Sequence, residues 1–134
     1  MKQVLFSLVI ISICYLQLVE LLTDEQQKRI NEKRDECVKE TGVDATVLAE
    51  ARKGNFANDA KLKQHILCVG EKHNFIKDGV VQKDVVMTQV TAILGDADLT
   101  QQLYDKCIQD KGSLLETVFA IAQCYISNTH VAVI

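Results

Sequence analysis

Residues 59–79 read DAKLKQHILCVGEKHNFIKDG, and they decide between helix and strand. Leu62, Ile66 and Val69 recur at spacings of four and three, and Leu67 and Cys68 widen the same apolar face. That period belongs to an amphipathic helix, not to an alternating strand. Asp59 stands where a cap is wanted, so a helix is expected from Asp59 to about His73. Asn74 to Gly79 is a turn segment that carries two large apolar residues, Phe75 and Ile76.

The same period governs the flanks. Thr23 to Glu40 reads as a first helix, with Thr23 and Gln26 as a capping box and Ile30, Cys37 and Val38 inward. Its charged run from Lys28 to Glu36 reads as a solvated face. Asp44 caps a short second helix to about Arg52, with Val47, Leu48 and Ala51 inward, and 54–58 is a loop. A fourth helix spans Lys83 to Leu94, with Val86, Val90, Ile93 and Leu94 as its stripe and Met87 beside it. Asp96 or Asp98 caps a fifth, running to about Lys111 with Leu99, Leu103, Cys107 and Ile108 inward. Ser113 and Glu116 form a capping box for a sixth, whose face holds Leu115, Val118, Phe119, Ala122 and Tyr125. Val80–Val81 and Val131–Ile134 are the only strand-like runs, and neither has an obvious partner. Six helices with short connections make the chain all-α.

Residues 1–21 have the layout of an export signal: Lys2, then an almost wholly apolar run from Val4 to Ile13. A membrane anchor would need about 20 apolar residues, and Gln17, Glu20 and Asp24 arrive too soon. A cut after Cys14 and one nearer Leu21 both suit the sequence. The remainder, 22–134, is one domain, with no membrane span. It contains no proline, so its helices run uninterrupted. The net charge of −3 is evenly mixed in sign. Nucleic-acid binding needs a basic patch and is excluded.

Four cysteines lie beyond the apolar run: Cys37, Cys68, Cys107 and Cys124. An even count behind an export signal points to two disulfides in an oxidising compartment. Three pairings are possible. Zinc sites use close pairs such as CxxC, and none occurs, so no metal and no cofactor is expected.

The cysteine spacing, the run from Cys68 through Phe75-Ile76 to Asp78-Gly79, and the opening Leu22-Thr23-Asp24-Glu25-Gln26 together resemble the insect odorant-binding proteins (the pheromone and general odorant-binding group). The likeness covers all of 22–134 and is to the subclass with four cysteines instead of six. The second family cysteine would fall at Gln64 and the fifth near Leu115 or Glu116. Those two pair with each other in the family, so their joint loss leaves no orphan thiol. The resemblance implies Cys37–Cys68 and Cys107–Cys124, with the third and sixth helices left without their covalent link. It also implies a compact six-helix domain, stapled by two disulfides around an apolar cavity.

By the same resemblance the chain is a secreted carrier of odorants, pheromones or lipid-like ligands in sensillum lymph. Haemolymph or gland fluid is the alternative, and tissue of expression separates the two. A helical interaction protein with a solid core is a third reading. The partners implied are a small hydrophobic ligand and a membrane chemoreceptor, with the chain a monomer or weak dimer. A cavity of about 300–1,000 Å³ suits such a ligand. Ten or more buried CH₂ groups at about 0.8 kcal/mol each reach the gross figure for micromolar binding, about −8 kcal/mol.

The residues expected to line the cavity are Leu62, Ile66, Phe75, Met87, Val90, Leu94, Leu103, Phe119 and Ala122, with Val131 and Val133 of the tail. Plain core packing is the alternative for each. Tyr104, Tyr125, Thr91 and His65 are candidates for one polar contact to an alcohol, aldehyde or ester, against the commoner role of surface or rim group. The tail either folds back over a cavity mouth or hangs loose. A histidine switch for acid release is set against ordinary solvated histidines. No catalytic residues are found: HExxH, GxSxG, P-loop and GxGxxG are all absent. Asp96-Ala97-Asp98 fails as a calcium loop, with Gln101 where glycine belongs and Cys107 where glutamate belongs.

Overall fold

A computed structural model describes residues 24–134. The expected export segment, Cys14 and the Thr23 cap lie outside the described residues. The described residues fall into two units, 24–32 and 33–134. In the first, residues 24–32 are helical and mostly exposed, with Lys28–Glu32 and Glu25–Arg29 paired one turn apart.

In the second unit, helix α1 (described over residues 24–41) brings in its last turns, from residue 33. Then follow α2 (Ala45–Arg52), α3 (Ala60–Lys72), α4 (Lys83–Leu94), α5 (Ala97–Cys107) and α6 (Leu114–Thr129). The caps explain most boundaries. Asp44 accepts from the amides of Thr46 and Val47, Asp59 from Leu62, Asp96 from Leu99 and Ser113 from Glu116. Each satisfies an orphan donor of a first turn. Gly95 ends α4 in the left-handed region at φ 71°, and its amide reaches the Thr91 oxygen at 2.7 Å. Only glycine adopts that φ without steric cost.

Two disulfides form, Cys37–Cys68 and Cys107–Cys124, with Cα atoms 5.8 and 5.6 Å apart. The first ties α1 to α3 and the second ties α5 to α6. Lys72 reinforces the first, reaching Glu36 at 3.0 Å and Glu40 at 2.9 Å. Between α3 and α6, in the region of the missing family cysteines, Lys63 pairs with Glu116 at 2.6 Å. The Lys63 ammonium also lies 5.2 Å from the centre of the Phe119 ring. A charge pair and a cation–π contact join the two helices there.

Several local expectations are corrected. Val80–Val81 does have a partner: it forms β2, antiparallel to β1 (Ile76–Lys77), with Ile76 opposite Val81. Asp78 and Gly79 turn the hairpin at φ 52° and 75°, the pair of positive values a two-residue hairpin requires. Helix α5 stops at Cys107, short of Lys111. Asp110 accepts from the Gly112 amide and the Thr117 hydroxyl, and Thr117 accepts from the Lys111 amide. These local bonds compete with helix continuation.

Leu99 is 40% exposed, whereas Thr100 is buried. The Thr100 hydroxyl donates to the Asp96 oxygen at 2.8 Å, so its polar atom is satisfied within the helix and its methyl can face inward. Ile93 is 47% exposed, at the edge of the Val86–Val90–Leu94 row. Arg34 leaves the solvated face and is part-buried, donating from Nη2 to the Ala132 oxygen at 2.8 Å. His65 is fully buried, not a rim group.

Candidate functional site

A cavity of about 110 Å³ lies within residues 33–134. It is smaller than the 300–1,000 Å³ expected. Helix α3 contributes Ile66, Val69 and Gly70, and the following segment contributes Phe75, Ile76 and Val81. Helix α4 supplies Val86 and Val90, and α5 with its exit supplies Thr100, Leu103, Tyr104, Cys107 and Ile108. Helix α6 adds Val118, Ile121, Ala122 and Tyr125, and the tail closes the set with Val133 and Ile134. No charged side chain is on this wall among the described residues.

The positions follow from helix geometry. On α6, residues 118, 121, 122 and 125 share one face, while Phe119 is turned about 100° from Val118. Phe119 instead meets Phe56 edge-on, ring centres 5.6 Å apart. On α3, Gly70 lets β1 approach: a Cβ there would lie 3.3 Å from Cγ1 of Ile76. The tail is held from outside the wall. Arg52 Nε donates to the Ile134 oxygen at 2.9 Å and Arg34 to Ala132, and Ile134 is buried. The tail therefore folds back onto the helices.

Of the residues expected to line a cavity, Ile66, Phe75, Val90, Leu103, Ala122 and Val133 stand on the wall. Leu62, Met87, Leu94, Phe119 and Val131 stand elsewhere, packed in the core or half-buried beside it. Val86 takes the place expected for Met87. Val69, Gly70, Ile76, Val81, Thr100, Cys107, Ile108, Val118, Ile121 and Ile134 also stand on the wall and were not expected there. The stripe of α6 carried the signal for Val118 and Ile121, but the fold of the tail lies beyond any periodicity.

Among the polar candidates, Tyr104 and Tyr125 are on the wall, and Thr91 and His65 are not. Lys83 lies 5.1 Å from the Tyr104 ring centre. Tyr125 is 7% exposed, and its hydroxyl is buried with the Thr129 side chain beside it. Burial pushes this phenol above its ordinary pKa. Both nitrogens of His65 are buried as well, beside the Cys37 backbone. Burial, then the nearby charge of Arg52, hold that imidazole below its ordinary value. The site thus offers apolar volume. It holds no group of three or more metal-ligating side chains among the described residues.

The profile of the PBP/GOBP family matches residues 20–128. The chain belongs to that family. Its function is to carry small hydrophobic molecules in an internal cavity. Among curated relatives, the B2 protein of Tenebrio molitor is 25% identical over 118 residues, covering 87% of this chain and 92% of the relative. Among solved structures, the fatty acid binding protein OBP56a from the oral disk of the blowfly Phormia regina is 31% identical. It superposes with a TM-score of 0.60 over 77% of this chain and 90% of its own. Odorant binding protein 5 of Apis mellifera, at 17% identity, shares the fold with a TM-score of 0.69 over 80% of this chain and 91% of its own. As in this PBP/GOBP family, the fold is all-α, with two disulfides in this chain. No described helix is long and apolar enough to cross a membrane.

Proposed function

We propose that the guest of this carrier sits in the cavity between α3, α4, α5, α6 and the tail, with the tail as its closing wall. The observation that carries the reading is the wall itself, almost wholly apolar and completed by Val133 and Ile134. Apolar burial then supplies the affinity, at about 25 cal/mol per Å² removed from water, and shape supplies what selectivity there is. At about 110 Å³ the cavity takes a guest of benzene size at most, since a cavity of about 150 Å³ is known to hold benzene. A longer chain requires the walls to move.

Residues 1–21 are proposed as the export signal, and the family match starting at residue 20 supports a mature chain that begins near there. The mature protein is then secreted into an extracellular fluid. Expression with the full leader in insect cells, followed by mass measurement of the secreted product, tests this part.

The cavity reading is tested by amide chemical-shift titration with benzene. Wild-type protein should show one saturable site, and Ala122→Leu, which fills the void, should lose it without a drop in melting temperature. A solid-core interaction protein would show no saturable site in either.

A further inference from the structure

We propose that the first turn of α4 is the part of the wall that yields to a guest larger than the void, so that Gln82 and Lys83 set the upper size of the cargo. This rests on the carrier reading above. A cavity of about 110 Å³ grows only if a wall element moves, and the elements are not held alike. Helix α3 is stapled through Cys68, and α5 and α6 are stapled to each other. The tail is clasped by two guanidinium donors, Arg34 and Arg52. Helix α4 carries no cysteine and enters no charge pair among the described residues. It buries a single residue, Val90, where α3 and α6 bury four each.

Within α4 the weak end is the N-terminus. Helices α2, α3, α5 and α6 each start on a side chain that accepts from a first-turn amide, at Asp44, Asp59, Asp96 and Ser113. Gln82 makes no such bond. Its side-chain amide donates to the Val80 oxygen at 3.0 Å instead. An uncapped first turn keeps its orphan donors and unwinds more readily. The Val86 amide makes the first bond of the helix, to the Gln82 oxygen at 3.0 Å, and the half-buried Val86 side chain stands on the cavity wall. Unwinding that bond carries Val86 off the wall. The middle of α4 stays in place, because Gln89 donates to the His73 oxygen at 3.1 Å and Val90 is buried. One contact clasps the turn shut. The Lys83 ammonium lies 5.1 Å from the ring centre of Tyr104, itself on the wall. Lys83 is exposed, and a cation–π contact at an exposed site is weak. The turn is thus poised near opening, and a large guest draws on its open population.

Amide chemical-shift titration with benzene, of the size the void takes, and with butylbenzene, which exceeds it, tests the proposal. In the wild type, the shifts that butylbenzene causes beyond those of benzene should centre on residues 82–87, a readout that does not depend on a variant folding. Gln82→Asp supplies the missing cap and should weaken butylbenzene about fivefold. Lys83→Ala releases the clasp and should tighten butylbenzene about two- to fivefold. Benzene should bind these proteins alike. Lys63→Ala breaks the charge pair and cation–π contact between α3 and α6 and should leave butylbenzene unchanged. Butylbenzene affinity unmoved by both α4 variants, or raised by Lys63→Ala, overturns the yielding turn. So do wild-type shifts centred on the tail, and a wild type that binds benzene but not butylbenzene. Benzene binding keeps the carrier reading intact in each of these cases. Failure of both guests to bind the wild type overturns both.

Discussion

Arg52 at the end of α2 donates from Nε to the main-chain oxygen of Ile134 at 2.9 Å, across 82 positions of sequence. Arg34 does the same for Ala132 across 98. Together they clamp the segment whose Val133 and Ile134 form part of the cavity wall. Hydrogen bonds from charged donors are worth about 1.5–3 kcal/mol each. The double variant Arg34→Ala/Arg52→Ala should therefore expose the Val131–Ile134 amides to faster hydrogen exchange and raise the dissociation rate of a bound guest by at least about tenfold. Unchanged exchange in the tail would show that apolar packing alone holds it.

The disulfides close loops of different length. By chain entropy each contributes about 3–4 kcal/mol, the longer loop more. Replacing both Cys37 and Cys68 by serine should lower the urea-unfolding free energy by about that amount, and the Cys107/Cys124 pair slightly less. The second replacement should also loosen the α5 exit, where Cys107 and Ile108 touch the cavity. Weaker guest binding would accompany it.

His65 and His73 both have lowered pKa values. Burial is the main cause for each, with Arg52 adding at His65 and Lys33 at His73. An unfolded chain takes up these protons near the ordinary histidine value of about 6.5, whereas the folded chain resists until lower pH. Between those points the unfolded state binds more protons, so stability falls as pH falls. It is complete above the ordinary value. The melting temperature should drop from about pH 7 to pH 5. His65→Leu should flatten that slope, and imidazole resonances should report both titrations.

The buried Tyr125 hydroxyl, poorly placed for a hydrogen bond, predicts a gain on its removal. Leaving a buried polar group unsatisfied costs about 1–3 kcal/mol. Tyr125→Phe should therefore raise the melting temperature of the guest-free protein. Calorimetry on the two proteins without ligand checks it. A lower melting temperature would mean that the hydroxyl has a partner in solution.

Much of this fold was legible along the chain because helices report themselves locally. The Leu62–Ile66–Val69 stripe, the caps at Asp44, Asp59 and Ser113, and the stop at Gly95 each depend on neighbours within one or two turns. So do the bounds of α4, which matched from Lys83 to Leu94. The cysteine spacing carried the family and, through it, the pairing.

What periodicity could not supply was rotation and closure. Whether an apolar residue such as Leu62 or Met87 faces a void or a neighbouring helix depends on how α3 and α4 are turned against their partners. A hairpin needs both its strands in view before Val80–Val81 has meaning. Arg34, read as part of a solvated face, and Arg52, read only as the end of the second helix, became the clasp of the tail because folding brought Ala132 and Ile134 beside them. Stripe and cap are short-range properties of one segment. A cavity is what remains between several segments, and its volume and lining are set by contacts far apart in the chain.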